Sequence, residues 1–196
     1  MSTGGRPRDP DITPRVLTVA TQVLATRRMR GWTVDEIAAS AGVGKASLYR
    51  RWPALDALLA DVIADLGVRH VDFGDGPGED RQDIIRLLTE ATTGDRALAE
   101  AAIAAEVGVD QELRQAYARG PIVRFFTQAH RCSERARARG EVWPATLAPL
   151  MAGWSFLLFQ VATTGQQPSL ALLEDIVDEV VLPSLRIAAA ISAARL

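Results

Sequence analysis

One cysteine, two histidines and few aromatics limit what this chain can build. Cys132 stands alone, so no disulfide framework forms within the chain, and a reducing, cytoplasmic setting is expected. His130 and Cys132 lie two positions apart, which on a helix turns them to different faces. With His70 as the other histidine, no metal site and no cofactor is expected. Long apolar runs are also missing. The most apolar stretch, 145–162, contains Pro149, Gly153, Ser155 and Gln160. It reads as a helix buried on several sides, so no membrane span is expected. The opening residues, MSTGGRPRDPD, hold no apolar core, so no secretory signal is expected. Aromatics make up 6% of the chain and β-branched runs are sparse, which favours an all-α protein. Catalytic constellations are absent too. Gly42-Val43-Gly44-Lys45 glances at a phosphate loop, but Ala39 and Ala46 replace its required Gly and Ser/Thr. No catalytic residue is assigned, and the chain is not read as an enzyme.

What is present concentrates in residues 33–52, TVDEIAASAGVGKASLYRRW. Thr33 followed by Glu36 is a capping-box spacing that opens a helix, with Ile37, Ala38 and Ala41 on its apolar face. Trp32 precedes the cap, where an apolar residue can act as a staple. Gly42 to Gly44 ends that helix. A second short helix starts at Lys45, with Leu48 and Trp52 inward. Two short helices around a glycine turn form a helix-turn-helix, whose second helix enters the DNA major groove. Lys45, Ala46 and Ser47 are small or cationic at its start; Tyr49, Arg50 and Arg51 offer donors for phosphates. Together with Thr33 these are the candidate DNA-facing residues. The bland alternative is a solvated helical hairpin that happens to carry arginines.

Charge separates along the chain. Residues 1–53 hold nine basic and four acidic side chains, and the rest holds thirteen basic and twenty acidic, within an overall net charge of −2. A basic end on an acidic body suits a nucleic-acid partner at one end. Residues 1–10 are read as a disordered basic arm. Gly5-Arg6-Pro7-Arg8 resembles the core of an AT-hook, which would lay Arg6 and Arg8 into a narrow minor groove. A solvated tail adding only general attraction is the alternative.

The run 33–52 resembles the DNA-binding signature of TetR/AcrR-family transcriptional regulators, and the likeness extends over about residues 12–66. The capping box, the glycines, and Tyr49 with Trp52 in a Tyr-x-x-aromatic pattern carry it. One departure stands out: the family often has a phosphate-contacting Lys at the start of the next helix, where this chain has Leu55. The resemblance implies an N-terminal three-helix DNA-binding domain, residues 11–53, with double-stranded operator DNA as partner. It implies a helical effector-binding and dimerisation body, residues 54–196, and about nine helices in all. It also implies that the fourth helix transmits an effector signal, and that the last two helices form a homodimer's four-helix interface.

The pattern of the body is helical throughout. The glycine-rich segment 71–78 reads as a loop and domain boundary. Gly120-Pro121 is expected to interrupt or kink a helix spanning 110–139, and Pro183 to kink the last one. Arg131 to Arg139 reads as a solvated face. Helices are expected near 145–164 and from Ser169 onward, the latter with Leu173, Ile176, Val177, Val180 and Val181 inward and an acidic outer face. Phe156 and Phe159 lie off the inner stripe of the first, as a second buried surface requires. Tyr117, Phe125, Phe126, Trp143, Met151, Trp154 and Phe159 are candidate linings of a pocket for a small apolar or aromatic effector. Ordinary core, or an interface between copies, is the alternative for each. The whole reads as a DNA-binding transcriptional regulator, a repressor released by an effector. A ligand-binding or scaffolding helical dimer with a degenerate reader is the competing class.

Overall fold

A computed structural model describes residues 12–29, 32–106 and 111–194. Arg6, Arg8 and the rest of the arm lie outside the described residues. Every regular element among those described is helical: α1 (Ile12–Arg27), α2 (Val34–Ser40), α3 (Lys45–Arg51), α4 (Leu55–Asp65), α5 (Asp80–Thr92), α6 (Gly94–Ala104), α7 (Gln111–Tyr117), α8 (Val123–Ala138), α9 (Ala148–Thr164), α10 (Leu170–Asp175) and α11 (Leu182–Ala193). A π-helical turn, Ala118–Ile122, joins α7 to α8, and another, Ile176–Val181, joins α10 to α11. Counted as continuous rods, the described residues form nine helices.

Both π-turns accompany a proline. Pro121 lies inside the first, and Pro183 stands two residues after the second, in the first turn of α11. Proline has no N–H and crowds the carbonyl four residues back, and a widened turn relieves both. The expected interruptions are therefore accommodated without ending either rod. The second π-turn also shifts the helical register: Val177 and Val181 stay buried, but Val180, expected inward, is exposed.

α1 buries Val16, Ala20, Val23 and Leu24 and packs on α2, α4 and α6. α6 is rich in buried alanines, whose short side chains let neighbouring helices come close. The apolar core runs without a break from α1 through the reader to α11.

The 66–79 segment is irregular, as its composition implies, but it is not slack. Val68, Val71 and Phe73 are buried, and the Gly74 N–H donates to the buried Asp83 carboxylate at 2.8 Å. The arginines of α8 hold it from the other side, which corrects their reading as a solvated face. Arg139 is 8% exposed and pairs with Asp83 at 3.0 Å and Glu141 at 3.0 Å. Arg135 pairs with Asp75, Arg131 covers the Phe73 ring, and Arg137 donates to the Pro144 carbonyl at 2.8 Å. The acidic face of the last rod is likewise engaged, since Arg81 forks onto Asp178 at 2.6 and 2.7 Å.

Helix starts follow local chemistry. α9 begins at Ala148, three residues later than expected, with Pro149 in its first turn, where a missing N–H costs nothing. α3 ends at Arg51 because Trp52 is held extended ahead of Pro53, and α4 begins at Leu55 after the extended Ala54.

Candidate nucleic-acid interface

The reader is built by two caps. Thr33 is extended, and its Oγ1 accepts from the Glu36 N–H at 3.3 Å. Only this half of the capping box matches expectation. The Glu36 carboxylate turns instead to Arg27 at 2.8 Å, tying α2 to the end of α1. Trp32 and Ile37, the staple pair, are both buried. At the far end of α2 the Gly42 N–H bonds to the Ala39 carbonyl at 3.1 Å, and the Val43 N–H to Ala38 at 2.9 Å. That pair of bonds is a Schellman motif, and Gly42 supplies the left-handed residue it needs, at φ +62°.

α3 then leaves at a fixed angle. Leu48 and Trp52 are buried beneath it, while Lys45, Ala46, Tyr49, Arg50 and Arg51 are exposed and Ser47 is half-buried. Lys45, the one lysine of the chain, pairs with Asp35 at 2.7 Å. Both partners are more than half exposed, so the pair is weakly held and Lys45 is free to exchange onto a phosphate or base. Arg50 donates to Ser47 Oγ at 2.8 Å, which lays it along the outer face. The structure thus brings Thr33, Lys45, Ala46, Ser47, Tyr49, Arg50 and Arg51 to one end of the molecule.

The reader is tied to the next helix by Trp52, whose indole N–H donates to the Asp61 carboxylate at 2.8 Å. Leu55 is half-buried at the first position of α4, packed against the core. Ala54, the N-cap, has no side chain to cap that helix.

The seven effector candidates do not gather at one place. Phe125 and Trp154 stack in the core, with ring centroids 4.4 Å apart and planes 9° apart. Tyr117 is buried, and its hydroxyl donates to Glu100 at 3.1 Å. Trp143 and Met151 are half-buried. Phe126 and Phe159 are 40% and 66% exposed, so they line no interior pocket of the single chain. A groove of about 590 Å³ lies elsewhere, between residues 70–74 and α5, and none of the seven lines it.

Glu100 is the residue that sequence reading missed. Its carboxyl is buried, and burial pushes its pKa up to about 8 despite the opposing pull of Tyr117, Arg96 and the Gly67 N–H. The signal was a lone acid within the alanine stripe of α6.

Exposed apolar side chains collect on the last two rods: Phe156 and Phe159 on α9, Val180 in the π-turn, and Ile187 and Ile191 on α11. No helix of the described residues is long and apolar enough to cross a membrane. No cluster of three or more metal-ligating side chains occurs among them.

An all-helical chain with such a reader at one end falls in the class of helix-turn-helix transcriptional regulators. The family model described as bacterial regulatory proteins, tetR family, matches residues 16–62. An uncharacterised HTH-type transcriptional regulator of Mycobacterium tuberculosis is 30% identical, over 92% of this chain and 93% of its own. Among solved structures, a candidate TetR-family transcriptional regulator from Mesorhizobium loti superposes with a TM-score of 0.68 at 18% identity, covering 93% of this chain and 98% of its own. A candidate transcriptional regulator from Saccharomonospora viridis in complex with choline superposes at 0.62 with 16% identity, covering 87% and 95%. The chain belongs to the tetR family of bacterial regulatory proteins.

Proposed function

We propose that this regulator is a homodimeric repressor that binds a palindromic operator and is released by a small effector. The observation that carries the reading is the outward face of α3. Lys45 and Ser47 stand at its start to reach base edges, and Tyr49, Arg50 and Arg51 stand behind them to grip phosphates. One such helix covers a single half-site. Two related by a two-fold axis cover a palindrome, with centres about ten base pairs apart or a multiple of that. The exposed apolar face of α9 and α11 is the surface that supplies the axis.

The division into a reader, residues 11–53, and a body, residues 54–196, belongs to this reading. So does an arm in which Arg6 and Arg8 add minor-groove contacts. Support for an effector is the Phe125–Trp154 stack, because the buried Trp154 N–H has no acceptor among the described residues. An aromatic or apolar molecule with one acceptor atom suits that pair. That a neighbour of the same fold holds choline adds support for a small organic ligand. The effector would release DNA only to the extent that it favours a reader spacing unfit for the operator.

Selection of bound DNA from a random pool tests the reading. The expected product is a palindrome whose half-site spacing matches the dimer. Failure to enrich any sequence at low salt would favour a ligand-binding dimer with a degenerate reader.

A further inference from the structure

The C-terminal end of α4 is held by side chains from two other helices. Arg96 of α6 donates to the backbone carbonyls of Asp65 and of Gly67, the latter at 3.1 Å, and to the Asp65 carboxylate at 2.9 Å. Arg124 of α8 donates to the Ala64 carbonyl at 3.0 Å, and Gln128 to that of Arg69 at 3.2 Å. The Ala64 and Asp65 carbonyls belong to the last turn of α4, which leaves them without intrahelical partners, and those of Gly67 and Arg69 follow it. The backbones are close as well. A Cβ on Gly67, at φ +85°, would lie 2.8 Å from Pro121 Cα, and one on Gly120 would lie 2.6 Å from the Ile63 carbonyl oxygen. The end of α4 is thus wedged against the first π-turn.

Glu100 is buried at this junction. It is 2% exposed, accepts the Tyr117 hydroxyl at 3.1 Å, and is faced by the Gly67 N–H. No DNA-facing group touches it. The charged groups around it are already committed or remote. Asp65 of α4 is taken by Arg96 and Arg69, and their hydrogen bonds outweigh burial and hold it below its ordinary range. Arg96, one turn away on α6, is spent on α4. Tyr117 of α7 is pushed upward by its own burial and by Glu100, so it stays neutral. Of the other helices packed on α6, α1 carries Arg15 and Arg27, and α9 carries no titratable side chain; on α5, Arg81, Asp83 and Arg86 are paired with Asp178, with Arg86 and Arg139, and with Asp83, Asp80 stands at its start, and Glu90 is exposed. An ionised Glu100 would therefore be a buried charge without a dedicated cation, which is costly.

We propose that Glu100 is a positioning residue for operator binding: its carboxyl joins α6 and α7 to Gly67 at the end of α4 and stays dry while it is neutral, whereas ionisation draws water to a buried charge, opens that junction and weakens DNA binding. The proposal rests on the reading that α4 sets where the two readers fall. A hydroxyl donor, a backbone donor and a helix end meeting at one buried acid form a latch whose state depends on one proton.

The test is an equilibrium titration of the full-length protein with a selected DNA site, at fixed salt, between pH 6.5 and pH 9.5. Since Glu100 sits at about 8, wild-type affinity is expected to hold near neutrality and to fall by pH 9 about tenfold for each subunit that must be neutral, about a hundredfold for a dimer that needs both. Glu100→Gln, which is neutral throughout, should lose less than about twofold. Superimposable profiles for the two proteins overturn the proposal while leaving the operator reading intact. Should Glu100→Gln fail to fold, Tyr117→Phe takes its place. Losing a donor to the ionised form should move the midpoint to higher pH, and an unmoved midpoint overturns the latch. If no DNA is selected at any pH, the operator reading fails and the proposal falls with it.

Discussion

The Trp52 indole N–H bonds to the Asp61 carboxylate at 2.8 Å, across the proline that separates α3 from α4. Trp52 is buried and Asp61 exposed, so the bond pins the end of the reader onto the flank of the next helix. Trp52→Phe keeps an aromatic ring but deletes the donor and leaves a small void. Stability is expected to fall by about 1–2 kcal/mol. Asp61→Asn keeps an acceptor and should cost less than Trp52→Phe. Urea midpoints for the two variants decide the matter. Equal losses would mean that the charge on the Asp61 acceptor, rather than ring volume, accounts for the effect.

On the proposed reading, Lys45 reaches base edges and Tyr49 grips a phosphate. Lys45→Ala should weaken operator binding by about 1–3 kcal/mol if the ammonium reaches a base edge. Fold stability should be unchanged, because its partner in the free protein is an exposed Asp35. Tyr49→Phe should weaken binding without altering the selected sequence. A changed consensus for Tyr49→Phe would contradict its role at a phosphate. A melting temperature that drops with Lys45→Ala would show that the pair with Asp35 supports the fold.

These two predictions rest on the part of the chain most legible in sequence. Caps, glycines and aromatics of the reader are local signals, each set by residues within four positions. Helix existence in the body was legible for the same reason. What was not legible depended on distant partners. The arginines of α8 look like a solvated face until the 66–79 segment is folded against them. Val180 reads as inward until a π-turn adds a residue to the register. Phe126 and Phe159 look like lining residues because aromatic content says nothing about which side of a helix faces the core. Glu100 needed Gly67 and Tyr117 beside it before its burial had a meaning.

The same carboxyl predicts a pH dependence of folding stability. In the fold Glu100 titrates near 8, against about 4.5 for its ordinary value. The folded chain therefore holds a proton that the unfolded chain releases above about pH 4.5. Stability from this group is complete below that pH and is lost progressively as pH rises toward 8, amounting to a few kcal/mol at most, on the order of 1.4 per pH unit. Glu100→Gln should flatten the fall in melting temperature between pH 5 and pH 8. Parallel curves for the two proteins would mean that Glu100 keeps an ordinary pKa in the fold.

Gly120 tests the wedge between α4 and the first π-turn independently of charge. A methyl group there would meet the Ile63 carbonyl oxygen at 2.6 Å, and both atoms belong to rigid backbone. Gly120→Ala should cost at least about 1–3 kcal/mol, since neither helix can yield without moving the other. An unchanged urea midpoint would show that the π-turn can withdraw from α4 freely.

The apolar face of α9 and α11 offers a test in which a single chain and a dimer behave oppositely. Phe159 and Ile187 are 66% and 62% exposed, so their replacement by Glu removes little buried contact within one chain. For an isolated subunit such changes are near neutral. At the core of a two-fold interface each would place a carboxylate in an apolar contact, and symmetry would count every change twice. Phe159→Glu with Ile187→Glu is therefore expected to give monomers by sedimentation velocity, with the helical circular dichroism of the wild type. Operator binding should weaken sharply, since a lone reader covers one half-site. A double variant that keeps its dimer mass would place the two-fold axis elsewhere. The spacing of the readers would then have to be set by a different face.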